Sequence, residues 1–126
     1  MSHEFTIDIP REWWLSSNQR LHWAAKAKRT KAVRHAAMIA ARNAQLPTFQ
    51  TVAVCAWIGY PRNGTADPSN AAPLVKAALD GCTDAGLWPD DNSEHVVAVT
   101  YRRDTTSGRA GIWTLRLTFT DQEVPF

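Results

Sequence analysis

The residues of this chain best suited to chemistry lie between Asp67 and Asp91, in the stretch DPSNAAPLVKAALDGCTDAGLWPDD. Carboxylates stand before, within and after one short helical pattern. Pro73 is tolerated only in a first helical turn, which sets the start near Ala71, with Ser69 or Asn70 available to cap it. Val75, Ala78, Leu79 and Cys82 fall at i, i+3, i+4 and i+7 and make an apolar stripe. Lys76, Asp80 and Asp84 make a polar row beside it, and Gly86 suits the left-handed position that ends the helix. Oxygen donors of this kind suit a hard divalent cation, and a lysine one turn from an aspartate suits a developing negative charge. In isolation the same residues also fit an exposed Lys–Asp pair and polar turns around Asp67 and Asp90.

A helix over Ala71–Ala85 is about 22 Å long, so its two ends cannot share one ion. The segment Leu87–Asp91, if extended, reaches about 16 Å and can double back beside the helix. Asp90 or Asp91 is therefore expected to meet Asp67 and Asp80.

Charge is segregated along the chain. From Trp13 to Ala66 there is no acid, while Arg20, Lys26, Lys28, Arg29, Lys31, Arg34, Arg42 and Arg62 supply eight cations. From Asp67 to Asp104 there are seven acids against Lys76, Arg102 and Arg103. The first block fits a polyanion and the second a metal ion, which together fit a metal-dependent enzyme of nucleic acid.

The elements that must position these groups follow from periodicity. Phe5, Ile7 and Ile9 alternate with polar residues in a first strand closed by Pro10. The segment REWWLSSNQRLHW lacks a period; at least two of Trp13, Trp14 and Trp23 are expected in the core, the remainder being suited to stacking on bases. Ala24–Asn43, free of Pro and Gly, is a helix with a small-residue face (Val33, Ala36, Ala37, Ala40, Ala44) that can approach a sheet closely. Lys28, Lys31, His35 and Arg42 lie on another side. Thr51–Tyr60 is almost wholly apolar, which predicts a central strand covered on both faces. Glu94–Arg103 is a third strand, and DTTSGRAG reads as a hairpin connection to a fourth. In that strand Trp113, Leu115, Leu117 and Phe119 oppose Thr114, Arg116 and Thr118. The result is one α+β domain over residues 1–126, in the order β-α-β-α-β-β, with two helices on a mixed four-stranded sheet. Cys55 and Cys82 sit among apolar residues and are expected as buried thiols. No transmembrane run or signal pattern occurs, so a cytoplasmic location is expected.

The ordered motifs N18-x-R20-x-H22-W23, D67-x-x-N70, K76-x-x-x-D80-G81 and A85-G86-x-W88-x-D90-D91 resemble the RusA family of Holliday junction resolvases. The resemblance runs from the first strand through Val99. It implies a homodimeric Mg²⁺-dependent endonuclease, with Mn²⁺ as an alternative ion, acting on four-way junctions in the cytoplasm of a bacterium or a phage-infected cell. It assigns Asp67, Lys76 and Asp91 to catalysis, and Asp67, Asp80, Asp90, Asp91 and Asn70 to the metal. The basic residues Arg20, Lys26, Lys28, Arg29, Lys31 and Arg34 would hold DNA. A twofold dimer with one site per subunit matches the symmetry of a junction. The chain departs from the family pattern at Ser69, which stands where a second acid is usual, and Lys76 follows Asn70 by six residues. Two alternatives therefore stay open: a junction- or DNA-binding protein without activity, and an endonuclease of broader branched-DNA specificity.

Overall fold

Four strands alternate in burial and two helices cover one side of them. In a computed structural model that describes residues 3–90 and 92–122, the elements are β1 (His3–Pro10), α1 (Trp23–Asn43), β2 (Val52–Gly59), α2 (Ala72–Asp84), β3 (Val96–Arg103) and β4 (Ile112–Asp121). Short 3₁₀ turns at Arg11–Trp13 and Pro68–Ala71 add to the expected β-α-β-α-β-β order. The sheet is mixed, in the order β1-β4-β2-β3: β2 runs parallel to β3 and antiparallel to β4, which is antiparallel to β1.

That order corrects the expected hairpin. Asp104–Gly111 does not fold β4 back on β3 but carries the chain past the end of β2, where Asp104 N–H donates to Ile58 O (2.9 Å) and Ser107 N–H to Tyr60 O (2.8 Å). The pattern of burial gives the reason. β4 buries Leu115, Leu117 and Phe119 and takes an inner position, whereas β3 has no fully buried residue and takes the edge.

One core joins the inner sheet face to both helices, through Ile7, Ile9, Val54, Ile58, Leu74 and Leu117 among others. β2 is central, but among the described residues no further layer covers its second face. Cys55 and Trp57 are half-buried there, and Trp57 lies between the guanidinium groups of Arg116 (4.6 Å) and Arg102 (5.6 Å). The cation–π contacts and the Trp57 Nε1 bond to Thr118 Oγ1 (3.2 Å) let an apolar strand face water. Cys82 is buried and Cys55 only half-buried, both as free thiols.

The small-residue face of α1 packs on α2 rather than mainly on the sheet. Val33, Ala37 and Ala41 are its buried residues, and Gly81 of α2 lies against the backbone of Arg34 to Met38. Small side chains let two helix axes approach closely, whichever element the partner is. With α1 on one side and the sheet on the other, α2 buries Leu74 and Ala77 in addition to the predicted stripe. No helix among the described residues is long and apolar enough to cross a membrane.

Candidate active site

Asp67 ends the loop after β2 and starts the turn that leads into α2. Its Oδ1 accepts bonds from Ser69 N–H (3.0 Å) and Ser69 Oγ (2.9 Å), which caps the 3₁₀ turn over Pro68–Ala71. The cap is thus Asp67 itself, not Ser69 or Asn70, and α2 proper begins at Ala72 with no side-chain cap. Ser69 acts as a donor that fixes the Asp67 carboxylate. Asn70 is half-buried; its carbonyl accepts from Ser17 N–H (2.8 Å), so the tryptophan-containing loop is tied down beside this turn.

Further along α2, Lys76 Nζ bonds Asp80 Oδ1 at 2.9 Å, the predicted i, i+4 pair. The lysine side chain is 63% exposed and the aspartate 23%. Asp84, next in the row, turns to α1 instead and takes two bonds from Arg34, at 2.6 and 2.8 Å.

The C-terminus of α2 closes as its sequence predicts. Gly86 adopts φ +83°; its N–H reaches Thr83 O (3.0 Å) and Leu87 N–H reaches Cys82 O (3.2 Å), the paired bonds of a Schellman motif. Leu87 and Trp88 then fold into the core, with Trp88 Nε1 donating to Thr83 Oγ1 at 2.7 Å. This anchor brings the chain back to the surface at Asp90, where Asn92 Nδ2 lies 3.4 Å from Asp90 Oδ2. Asp91 lies outside the described residues.

Asp67, Asp80 and Asp90 are not brought together: among the described residues no group of three or more His, Cys, Asp or Glu side chains is placed to hold a metal ion, and the alternative meeting through Asp91 lies outside the described residues. The spacing explains this. Asp80 is eight residues into α2 and so about 12 Å along its axis from Ala72, while Asp67 precedes even the turn before α2.

The predicted DNA-binding cations divide into two groups. Arg20, Lys26, Lys28 and Lys31 are exposed. Arg29 is half-buried, and its Nη1 donates to the carbonyls of Trp14 (2.9 Å) and Arg11 (3.1 Å), bracing the N-terminal loop on α1. Arg34 is held by Asp84. These two arginines have structural partners that the sequence pattern did not reveal.

One feature escaped the sequence reading. An open pocket of about 460 Å³ lies beside Asp67, lined by Arg11, Tyr60, Arg62, Arg103 and Trp113, among others. Arg103 stacks on Tyr60 (4.7 Å) and donates to Ala66 O (3.2 Å), while its Nη2 is buried without a partner among the described residues. Burial raises the Tyr60 hydroxyl above its ordinary pKa; Arg103 opposes this and Asp67 adds to it. The cationic strand end Arg102-Arg103 was visible in sequence, but nothing in its spacing pointed to the loop before Asp67.

No family model and no curated protein matches this chain.

Proposed function

We propose that the protein is a Mg²⁺-dependent, structure-specific DNA endonuclease that cuts four-way junctions as a homodimer. The observation that carries the reading is the packing of α1 on α2. Gly81 against the α1 backbone and the Arg34–Asp84 pair set the acid-free helix beside the Lys76–Asp80 row. A phosphate chain drawn to Lys26, Lys28 and Lys31 would pass close to carboxylates able to hold a cation. The ordered motifs that resemble the RusA family support the same reading.

The donor set fits magnesium. Asp67, Asp80, Asp90, Asp91 and Asn70 offer only carboxylate and amide oxygens, and Asp67 and Asp90 are exposed. Magnesium keeps several waters and is held through one or two carboxylates plus substrate phosphate, so Asp67 and Asp91 would suffice as its primary ligands. When bound it supplies an acidified water and neutralises charge on the scissile phosphate. Within the chain, Ser69 holds the Asp67 carboxylate in place, and Lys76 presents its ammonium beside Asp80 to the phosphate.

The test is cleavage of a mobile four-way junction with Mg²⁺ by the wild type and Asp91→Asn, alongside flap and linear duplex substrates. Paired symmetric nicks that Asp91→Asn abolishes while still binding the junction support the reading. Cleavage of flaps at an equal rate favours the broader endonuclease. Tight junction binding with no cleavage favours the non-catalytic protein, a reading that Ser69 in place of a second acid supports.

A further inference from the structure

Of the six tryptophans, Trp88 is buried and Trp13, Trp14, Trp57 and Trp113 are half-buried. Trp23, the first residue of α1, is 77% exposed. A single exposed apolar side chain is ordinary, whereas one set in a contiguous apolar surface marks a binding site. Trp23 is not isolated. With Lys26, Ala27, Thr30, Lys31 and Arg34 it lines one shallow open groove along α1, at the i, i+3, i+4, i+7, i+8 and i+11 positions of a single helical face. The Thr30 hydroxyl donates to Lys26 O (2.8 Å), which removes a polar group from the groove. The floor is therefore the indole, Ala27 and aliphatic stems, and the rim is cationic.

We infer that this groove is a binding site for a single-stranded stretch of DNA, in which an unpaired base stacks on Trp23 and the flanking phosphates contact Lys26 and Lys31. This inference rests on the nucleic-acid reading above and adds the substrate feature that the basic helix recognises. Charge decides between occupants. The first turn of α1 contains no acid, and Asp84, which meets the groove at its far end, is already neutralised by Arg34. A polyanion complements such a surface. A second copy docking here across a twofold axis would bring the same lysines toward each other, which like-charge repulsion opposes. Duplex DNA would satisfy the lysines but leave the ring exposed, because its bases are stacked. An unpaired base uses both features at once, and stacking of this kind accepts any base.

The experiment is titration of the full chain with a labelled oligothymidylate, followed by fluorescence anisotropy at several salt concentrations, with circular dichroism to verify folding. Trp23→Ala should weaken binding about tenfold, and Trp23→Phe should retain most of the affinity. The double variant Lys26→Glu, Lys31→Glu should reduce the slope of log K against log salt by about 1.4, since each phosphate contact contributes about 0.7 on a single strand. Unchanged oligothymidylate affinity in folded Trp23→Ala overturns the inference. A shift of that variant from dimer to monomer in sedimentation, with affinity unchanged, also overturns it and assigns the groove to a second copy. Wild-type protein that binds a four-way junction but not oligothymidylate overturns it while leaving the proposed function standing. Binding to neither overturns both.

Discussion

Arg34 and Asp84, fifty residues apart in sequence, form a two-bonded ion pair at 2.6 and 2.8 Å that ties the basic helix to the acidic one. The Arg34 hydrogen bonds hold the Asp84 carboxyl below its ordinary pKa against a smaller opposing effect of burial. A carboxyl whose folded pKa is depressed stabilises the fold above its unfolded value, about 3.9, and loses that contribution as pH falls through the folded value. The stability difference between wild type and Asp84→Asn should therefore be constant from about pH 7 to pH 5 and shrink below about pH 4. Because Arg34 is half exposed, water screens the pair, and the difference should stay below about 1 kcal/mol. Denaturant titrations across that range check it; a difference that grows toward acid would show that the pair does not stabilise the fold.

Gly81 makes the second connection between the helices. A Cβ at this position would strike the Arg34 carbonyl oxygen and lie 2.9 Å from Ala37 Cβ and 3.0 Å from Met38 N. Backbone atoms cannot swing aside as a side chain can, so Gly81→Ala must separate α1 from α2. Overpacking of this kind costs about 1–3 kcal/mol, against about 1 kcal/mol of better helix propensity for alanine. A net loss of up to about 2 kcal/mol in chemical denaturation is expected. A more stable variant would mean that the helices tolerate a wider spacing.

What could be read from the sequence was local. The alternation of β4, the helix of Ala24–Asn43 and the Gly86 terminus depend on neighbours a few residues away, and all three formed as expected. Pairing is not local. Period-2 patterning identified β3 and β4 as strands but could not say that β4 inserts between β1 and β2. The apolar second face of β2 suggested a covering layer because nothing near Trp57 in sequence announces Arg102 and Arg116 as its lids. For the same reason Arg29 and Arg34 could be counted as cations, but their carbonyl and carboxylate partners could not be foreseen. Within the candidate site, Asp67 was legible as a turn residue before Pro68, and Ser69 as a helix cap or an absent acid rather than as a donor to Asp67.

Asp67 carries a structural and a proposed catalytic task, and two substitutions separate them. Asparagine caps a helix about as well as aspartate, whereas alanine loses about 1 kcal/mol at such a position. Asp67→Asn should therefore keep the wild-type melting temperature, and Asp67→Ala should lower it by a few degrees. If Asp67 is a metal ligand, both should lose junction cleavage with Mg²⁺. Full cleavage by Asp67→Asn would confine Asp67 to the capping role.

Trp14 and Trp23 should respond in opposite ways to truncation. Trp14 stacks on Trp113 with ring centroids 4.8 Å apart and planes 13° from parallel, and meets Tyr60 edge-on at 6.1 Å. Its carbonyl also accepts bonds from Arg29 Nη1 (2.9 Å) and Gln19 Nε2 (3.1 Å). To wedge into the centre of a junction it would have to give up that stack. Full burial of a tryptophan makes truncation cost about 3–5 kcal/mol, so half-buried Trp14→Ala should cost about 2–3 kcal/mol. Its cleavage of a junction, measured well below its melting temperature, should match the wild type. Trp23→Ala removes an exposed ring and should change stability by less than about 0.5 kcal/mol. Loss of cleavage in folded Trp14→Ala, with affinity for the junction intact, would put Trp14 rather than Trp23 at the DNA.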